Sequence, residues 1–148
     1  MSIVNFDNIP KYEKNEQELE EILPFLKTNF LTKSLADEEI KNIALAMKKE
    51  LFSKNDTIIK YGDMGTKYYI LSKGNVKVTV YKPGTDPKDE NLEQKVNIVK
   101  YMKQGVGFGE LALLYNDKRS ATIEAEDDCV VYSLDGILFK GMIVKSSI

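Results

Sequence analysis

The residues of this sequence that could do chemistry are concentrated in one short stretch, GFGELALLYNDKRSATI, at positions 107–123. Closely spaced glycines, the last of them Gly109, precede Glu110, and Arg119 follows nine residues later, directly before Ser120. Glycines let a ligand approach the main chain closely, and a guanidinium forms two-pronged, charge-assisted bonds with phosphate. A carboxylate accepts hydrogen bonds, so Glu110 suits a hydroxyl group near that phosphate. The combination predicts a site for a phosphorylated sugar with a free hydroxyl.

The segment after the glycines has helical spacing, because residues 111–114 are apolar and make one or two turns. The start of a helix leaves backbone N–H groups unpaired and carries partial positive charge, which favours an anion such as phosphate. Each feature also has a plainer interpretation. The glycines could form only a turn, Glu110 could be only a favourable charge at a helix start, and Arg119 could be a surface residue or a partner of Glu110. The order of the whole set favours the phosphate site.

The composition of the chain narrows the class of protein. Its 148 residues suit one domain, and a formal net charge of −2 argues against a general nucleic-acid binder. No apolar run is long enough to cross a bilayer and no signal-like stretch opens the chain, so we expect a cytoplasmic protein without a membrane partner. The absence of histidine and the single Cys129 argue against a metal site, a metal-dependent jelly-roll enzyme and a Ser-His or Cys-His pair. We therefore expect a binding protein with no catalytic residue and no metal ligand.

Helical patterns dominate the first third of the chain. Residues 1–15 show no period and are expected to form a loose arm, followed by a helical motif over residues 16–50. Pro24 predicts a break in the first helix of this motif. Ser34 and Asp37 have the spacing of a capping box at the start of the second helix.

From residue 51 onwards the sequence is rich in β-branched and aromatic residues separated by turn-forming glycines. Val76, Val78 and Val80 alternate with polar residues, which is typical of a half-buried strand. Residues 82–95 are polar, contain two prolines and are expected to form a solvated loop between two strands. Short strands followed by a final helical segment predict a mainly β fold with flanking helices, either a small antiparallel barrel or a jelly-roll-like sandwich.

Two motifs together resemble the cyclic nucleotide-binding domains of cyclic-nucleotide-dependent protein kinases, gated channels and bacterial regulators. Residues 108–113 and 119–123 match the phosphate-binding cassette of that family, and residues 58–80 match its upstream pattern of glycines and alternating valines. The resemblance covers residues from about 20 to 145. It implies an eight-stranded β-roll over residues 51–135, with the cassette at 105–123, between an N-terminal helical motif and a C-terminal helix at 136–148.

The resemblance also implies a role for each residue of the cassette. Glu110 would accept a hydrogen bond from the ribose 2′-hydroxyl, and Arg119 would pair with the cyclic phosphate. Backbone amides would complete the cradle around Gly109, Leu111, Ala112 and Ala121.

The residue after the arginine bears on which base is bound. In kinase-type modules that resemble this one, that position is often alanine in cAMP binders and threonine or serine in cGMP binders; here it is Ser120. Its hydroxyl could bridge the phosphate and the 2-amino group of a syn guanine, or it could contact phosphate alone. One such hydrogen bond is worth only about 0.5–1.5 kcal/mol. We expect cGMP as the ligand, with cAMP as the alternative.

The resemblance implies a regulatory sensor, most like a domain of a cGMP-dependent protein kinase. We expect nucleotide binding to move the cassette and the C-terminal helix and so to regulate a kinase catalytic domain, in the same chain or in another protein. One alternative is a cAMP-binding domain of a cAMP-dependent protein kinase regulatory subunit. Another is a protein-interaction module that keeps the fold without binding a nucleotide.

Overall fold

The computed structural model describes residues 10–146, with side chains through residue 141. The expectations for residues 1–9 and for the last two residues of the chain lie outside this range. Residues 10–15 contain no helix or strand, and the Tyr12 N–H donates to the Leu45 carbonyl at 2.9 Å. Lys14 Nζ donates to the carbonyl of Met47. This segment therefore lies against the end of the second helix.

Helix α1 (Glu16–Thr28) runs through Pro24 without interruption, so the expected break is wrong. A proline at this position removes one backbone hydrogen bond within the helix. Pro24 is exposed, whereas Ile22 and Leu26 are buried in the core. The loss therefore falls on the solvent face, and burial of the opposite face stabilises the continuous helix.

Helix α2 (Asp37–Ala46) begins with a different cap from the one predicted. The carboxylate of Glu39 accepts a hydrogen bond from the Ala36 N–H at 3.3 Å, and Ala36 is the N-cap. The predicted capping box of Ser34 and Asp37 is therefore wrong, because the helix begins at Asp37, later than that pair requires. The chain enters the first strand at Lys48.

Eight strands within residues 10–146 form two antiparallel sheets of four strands, which confirms the predicted fold class. The strands are β1 (Lys48–Phe52), β2 (Thr57–Ile59), β3 (Lys67–Lys73), β4 (Asn75–Tyr81), β5 (Val96–Lys103), β6 (Val106–Phe108), β7 (Ala121–Ala125) and β8 (Cys129–Asp135). The first sheet has the order β1-β8-β3-β6, and the second has the order β2-β7-β4-β5. Strands distant in sequence therefore meet in each sheet.

Strand β3 of the first sheet is buried on both faces. Along β3, Tyr68 and Ile70 belong to the apolar cluster under the helices, whereas Tyr69 and Leu71 belong to the cluster between the two sheets. Successive side chains of a strand point to opposite faces, so a strand covered on both sides is apolar without alternation. This explains the run of aromatic and aliphatic residues in β3.

A last helix, α4 (Gly136–Ser146), follows β8 directly. Its Phe139 is buried and stacks on Tyr68, with ring centroids 4.7 Å apart. Within residues 10–146, none of the helices combines the length and the apolar character that crossing a membrane requires.

Candidate functional site

Strand β6 leads through Gly109 into a short helix, α3 (Glu110–Leu114). Gly109 has φ of +92°, in the left-handed region that favours glycine. A Cβ built on Gly109 would lie 3.0 Å from Arg119 Nη1 and 3.3 Å from the Lys67 carbonyl oxygen. Glycine is therefore suited to this position both by backbone conformation and by the close approach of the guanidinium.

The guanidinium of Arg119 is anchored by two backbone carbonyls. Nη1 donates to the carbonyl of Gly109 and Nη2 donates to the carbonyl of Lys67, both at 2.6 Å. Gly65 makes room for the same group, since a Cβ built there would lie 3.2 Å from Arg119 Cζ and 2.8 Å from Ala112 Cβ. Arg119 thus joins the start of α3 to the start of β3.

In the part of the chain that the structure describes, Arg119 is a buried cation without a carboxylate in an ion pair. It is 6 % exposed, and among the residues that the structure describes its guanidinium forms no ion pair within 4.0 Å. Burial lowers the pKa of Arg119, while Tyr69 and Glu110 act in the opposite direction. A guanidinium nevertheless stays charged at neutral pH. Because buried charges are normally paired, this arrangement suits an anion, and the interpretation of Arg119 as a surface residue or as a partner of Glu110 is disfavoured.

A cavity of about 350 Å³ lies beside Arg119, within the size range of small-molecule sites. The structure places all seven residues predicted for the cassette site in its lining, namely Gly109, Glu110, Leu111, Ala112, Arg119, Ser120 and Ala121. Arg119 is buried in this wall and Ser120 is exposed at its edge. The side chain of Glu110 is half-buried.

The cavity is also lined by residues of β2, β4 and β5, which were not among the predicted site residues. These residues are Ile59, Val78, Lys100 and Met102, and Ile123 at the end of the predicted cassette also lines the cavity. Lys100 reaches the cavity because β5 pairs with β4 in a register that sets Lys100 opposite Val78. The valine alternation in β4 was a usable signal for the inner face of that strand. The register in which β5 pairs with β4 could not be predicted from the sequence, because a long loop connects the two strands.

Glu110 also borders a second cavity of about 300 Å³ on the other side of α3. Phe30, Tyr68 and Leu114 are among the side chains that line this second space. Burial raises the pKa of the Tyr68 hydroxyl, and the nearby charge of Glu110 raises it further. Glu110 therefore borders both the cavity beside Arg119 and this second space.

The described part of the chain offers no cluster of three or more His, Cys, Asp or Glu residues placed to hold a metal ion. The candidate site consists instead of one buried cation, one half-buried carboxylate, exposed main chain near glycines and an apolar strand wall with a lysine.

Comparisons with known proteins point to one family. Residues 49–146 match the family described as the cyclic nucleotide-binding domain. A cAMP-dependent protein kinase regulatory subunit from Colletotrichum orbiculare is 34 % identical over 141 residues, which cover 93 % of this chain and 35 % of that protein. The chain spans about a third of the length of the curated relatives it matches.

Solved structures share the fold. The cAMP-bound structure of PfPKA-R has a TM-score of 0.76 at 34 % identity, covering 89 % of this chain and 44 % of that one. The regulatory domain of Toxoplasma gondii PKA with cAMP also has a TM-score of 0.76, at 30 % identity, covering 88 % and 46 %. The regulatory subunit of a cAMP-independent protein kinase A from Trypanosoma cruzi, bound to guanosine, has a TM-score of 0.74 at 27 % identity, covering 93 % and 44 %. Similar folds therefore hold different ligands.

Proposed function

Because the chain belongs to the cyclic nucleotide-binding domain family, we propose that the cavity beside Arg119 binds a cyclic nucleotide and that the chain is a regulatory module without catalysis of its own. The observation that carries this proposal is the buried guanidinium of Arg119, which lines the cavity and has no carboxylate within 4.0 Å in the described part of the chain. A cyclic phosphate is a monoanion, so it would provide the negative charge that pairs with the guanidinium of Arg119.

The remaining residues of the cassette suit the other parts of the same ligand. Two of the N–H groups of Arg119 donate to the carbonyls of Gly109 and Lys67, and the others, which have no hydrogen bond to the described residues, can donate to phosphate oxygens. The carboxylate of Glu110 accepts a hydrogen bond from the ribose 2′-hydroxyl. The main-chain N–H groups that complete the cradle belong to Gly109, Leu111, Ala112 and Ala121.

We propose cAMP as the ligand. The curated relatives that support this choice are cAMP-dependent protein kinase regulatory subunits at 31–35 % identity, and two of the similar structures contain cAMP. The apolar residues Ile59, Val78 and Ile123 on the strand wall provide a surface for a flat purine.

A second candidate, cGMP, is favoured by two side chains at the cavity. Ser120 carries a hydroxyl that can accept a hydrogen bond from the 2-amino group of guanine, which adenine lacks. Lys100 is a pure donor, and guanine presents two acceptors, O6 and N7, on one edge, where adenine presents one acceptor and one donor. The relatives support cAMP, whereas these two residues support cGMP.

We further propose that the regulated partner is a kinase catalytic domain, in the same protein or in another one. Leu113 of α3 packs so closely on α4 that a Cβ at Gly136 would lie 2.6 Å from Leu113 Cδ2. Leu113 and Phe139 share one apolar cluster with Tyr68. A ligand that binds one arrangement of α3 more tightly therefore also biases the packing of α4.

The proposal is tested by calorimetric titration and thermal unfolding of this chain with cAMP, cGMP and linear 5′-AMP. We expect micromolar or tighter binding of a cyclic nucleotide and weaker binding of 5′-AMP. If neither cyclic nucleotide shifts the unfolding temperature at millimolar concentration, the chain is a nucleotide-blind interaction module.

The variant Lys100→Gln tests which nucleobase, guanine or adenine, the site prefers. Lys103→Gln on the same strand is the matched control. If cGMP is the ligand, Lys100→Gln lowers the affinity for cGMP more than the affinity for cAMP. The control Lys103→Gln changes neither affinity. Unequal affinities of the unmodified chain decide between the two nucleotides directly.

A further inference from the structure

The segment between β4 and β5, residues 82–95, is a folded substructure with exposed charges. The Lys82 N–H donates to the Lys95 carbonyl at 2.8 Å and so closes the base of the loop. Further along, the Thr85 N–H donates to the Lys82 carbonyl at 3.1 Å, and residues Leu92–Lys95 form a turn of 3-10 helix. The backbone of this loop thus has a defined shape.

The loop is attached to the turn formed by residues 61–65. Tyr61 Oη donates to the Thr85 carbonyl at 2.7 Å, and the ring of Tyr61 packs on Tyr81 with centroids 4.9 Å apart. Pro87 lies directly over Gly62, because a Cβ built on that glycine would lie 2.8 Å from Pro87 Cβ. The loop and the turn therefore meet through one hydrogen bond and one close apolar contact, and the Tyr61–Tyr81 ring pair joins the turn to the end of β4.

The same turn holds the main chain of Arg119 from both sides. The Gly62 N–H donates to the Arg119 carbonyl at 2.9 Å, and the Arg119 N–H donates to the Asp63 carbonyl at 2.7 Å. The Tyr61 N–H donates to Thr122 Oγ1 at 3.0 Å. A movement of the turn would therefore move the backbone from which the guanidinium projects.

We propose that residues 82–95 act as a strap that fixes the 61–65 turn and, through it, the position of Arg119. Tyr61 and Pro87 are then positioning residues for the phosphate site, although they do not line its cavity. This inference rests on the proposed function, because it concerns how tightly the same site holds its nucleotide. An arginine held in place before the ligand arrives loses less freedom on binding, so the strap slows nucleotide release.

The first test is Tyr61→Phe, which removes the hydrogen bond to Thr85, with Tyr81→Phe as a matched control that leaves this bond intact. We expect faster hydrogen exchange at the Gly62 and Arg119 amides and up to about tenfold faster nucleotide release, the range of one hydrogen bond. The Ala125 amide, which donates to the Asp56 carbonyl away from the strap, should exchange as before. Unchanged exchange at the Gly62 and Arg119 amides together with unchanged nucleotide release would overturn the proposal.

The second test replaces residues 83–94 by Asn-Gly, a two-residue turn that suits a β-hairpin. The pairing of Tyr81 with Val96 at the ends of β4 and β5 is compatible with such a short connection. We expect the shortened protein to release nucleotide faster than Tyr61→Phe does, because it loses both the hydrogen bond to Thr85 and the contact of Pro87 with Gly62, whereas Tyr61→Phe loses only the hydrogen bond. Release at the rate of the unmodified chain would refute the strap.

The two proposals fail in different ways. If the unmodified chain binds no cyclic nucleotide, the proposed function fails, while the exchange rates at Gly62 and Arg119 still test the strap in the free protein. If the chain binds nucleotide but the strap variants change neither exchange nor release, only the strap fails. Should the shortened protein not fold, Tyr61→Phe decides the question.

Discussion

Replacement of Arg119 by alanine is the perturbation that bears most directly on the site. In the proposed site it removes the charged partner of the phosphate, and losing one member of such a buried pair costs about 2–5 kcal/mol of binding free energy. This corresponds to an increase in Kd of roughly 30-fold to several thousand-fold. The variant also leaves the carbonyls of Gly109 and Lys67 without their donor. An unsatisfied buried acceptor costs about 1–3 kcal/mol, so the folded state loses stability as well.

The two effects are separated by a thermodynamic cycle with a ligand that lacks the phosphate. Calorimetric or NMR titration compares the unmodified chain and Arg119→Ala, each with the cyclic nucleotide and with the corresponding nucleoside. We expect the large loss for the cyclic nucleotide and a small one for the nucleoside, because only the former presents an anion to residue 119. Lys118→Ala, which removes a neighbouring exposed cation, should bind both ligands as the unmodified chain does.

Equal losses for nucleotide and nucleoside would refute the reasoning, since they would mean that Arg119 supports the shape of the cavity and does not contact phosphate. An unchanged affinity for the cyclic nucleotide would refute the phosphate assignment altogether. Urea unfolding of each variant without ligand shows whether the protein used in the titration is folded.

Three further predictions concern the base, the backbone and the pH dependence of stability. Ser120→Ala should reduce any preference for cGMP over cAMP in competition binding; equal losses for both would show that the hydroxyl serves the phosphate alone. A non-glycine residue in the left-handed conformation costs roughly 1–2 kcal/mol. Gly109→Ala should lower the free energy of unfolding by more than this, because the new Cβ would also contact Arg119. The control in urea unfolding is Gly84→Ala, at a position with φ of +78° and open space around it. The side chain and backbone of Asn75 donate to Asp127 and lower the pKa of its carboxyl. Asp127→Asn should therefore be less stable than the unmodified chain above about pH 4, and the difference should shrink as the pH falls through the lowered pKa; a constant difference from pH 7 to pH 2 would contradict this.

Local chemistry made part of the fold and of the site predictable. The alternation of Val76 and Val78 indicated a strand because successive side chains of a strand face opposite sides. The cassette from Gly109 to Ala121 could be identified because its members are close in sequence, and the structure places them around one cavity. The uninterrupted helix through Pro24 was not predictable in this way, since packing of the opposite face outweighs the local preference of proline.

The sequence alone determined the kinds of groups at the site: a guanidinium, a carboxylate, a hydroxyl and bare main chain in a fixed order. Only the tertiary structure decided that the Lys67 carbonyl, 52 positions away, anchors Arg119, and that Lys100 lines the same cavity as Arg119. The physical reason is that these contacts depend on strand register and on the path of the 82–95 loop. Register depends on which faces of both paired strands are buried and on the connection between them, and the long 82–95 loop is not a short turn whose type would fix the register locally.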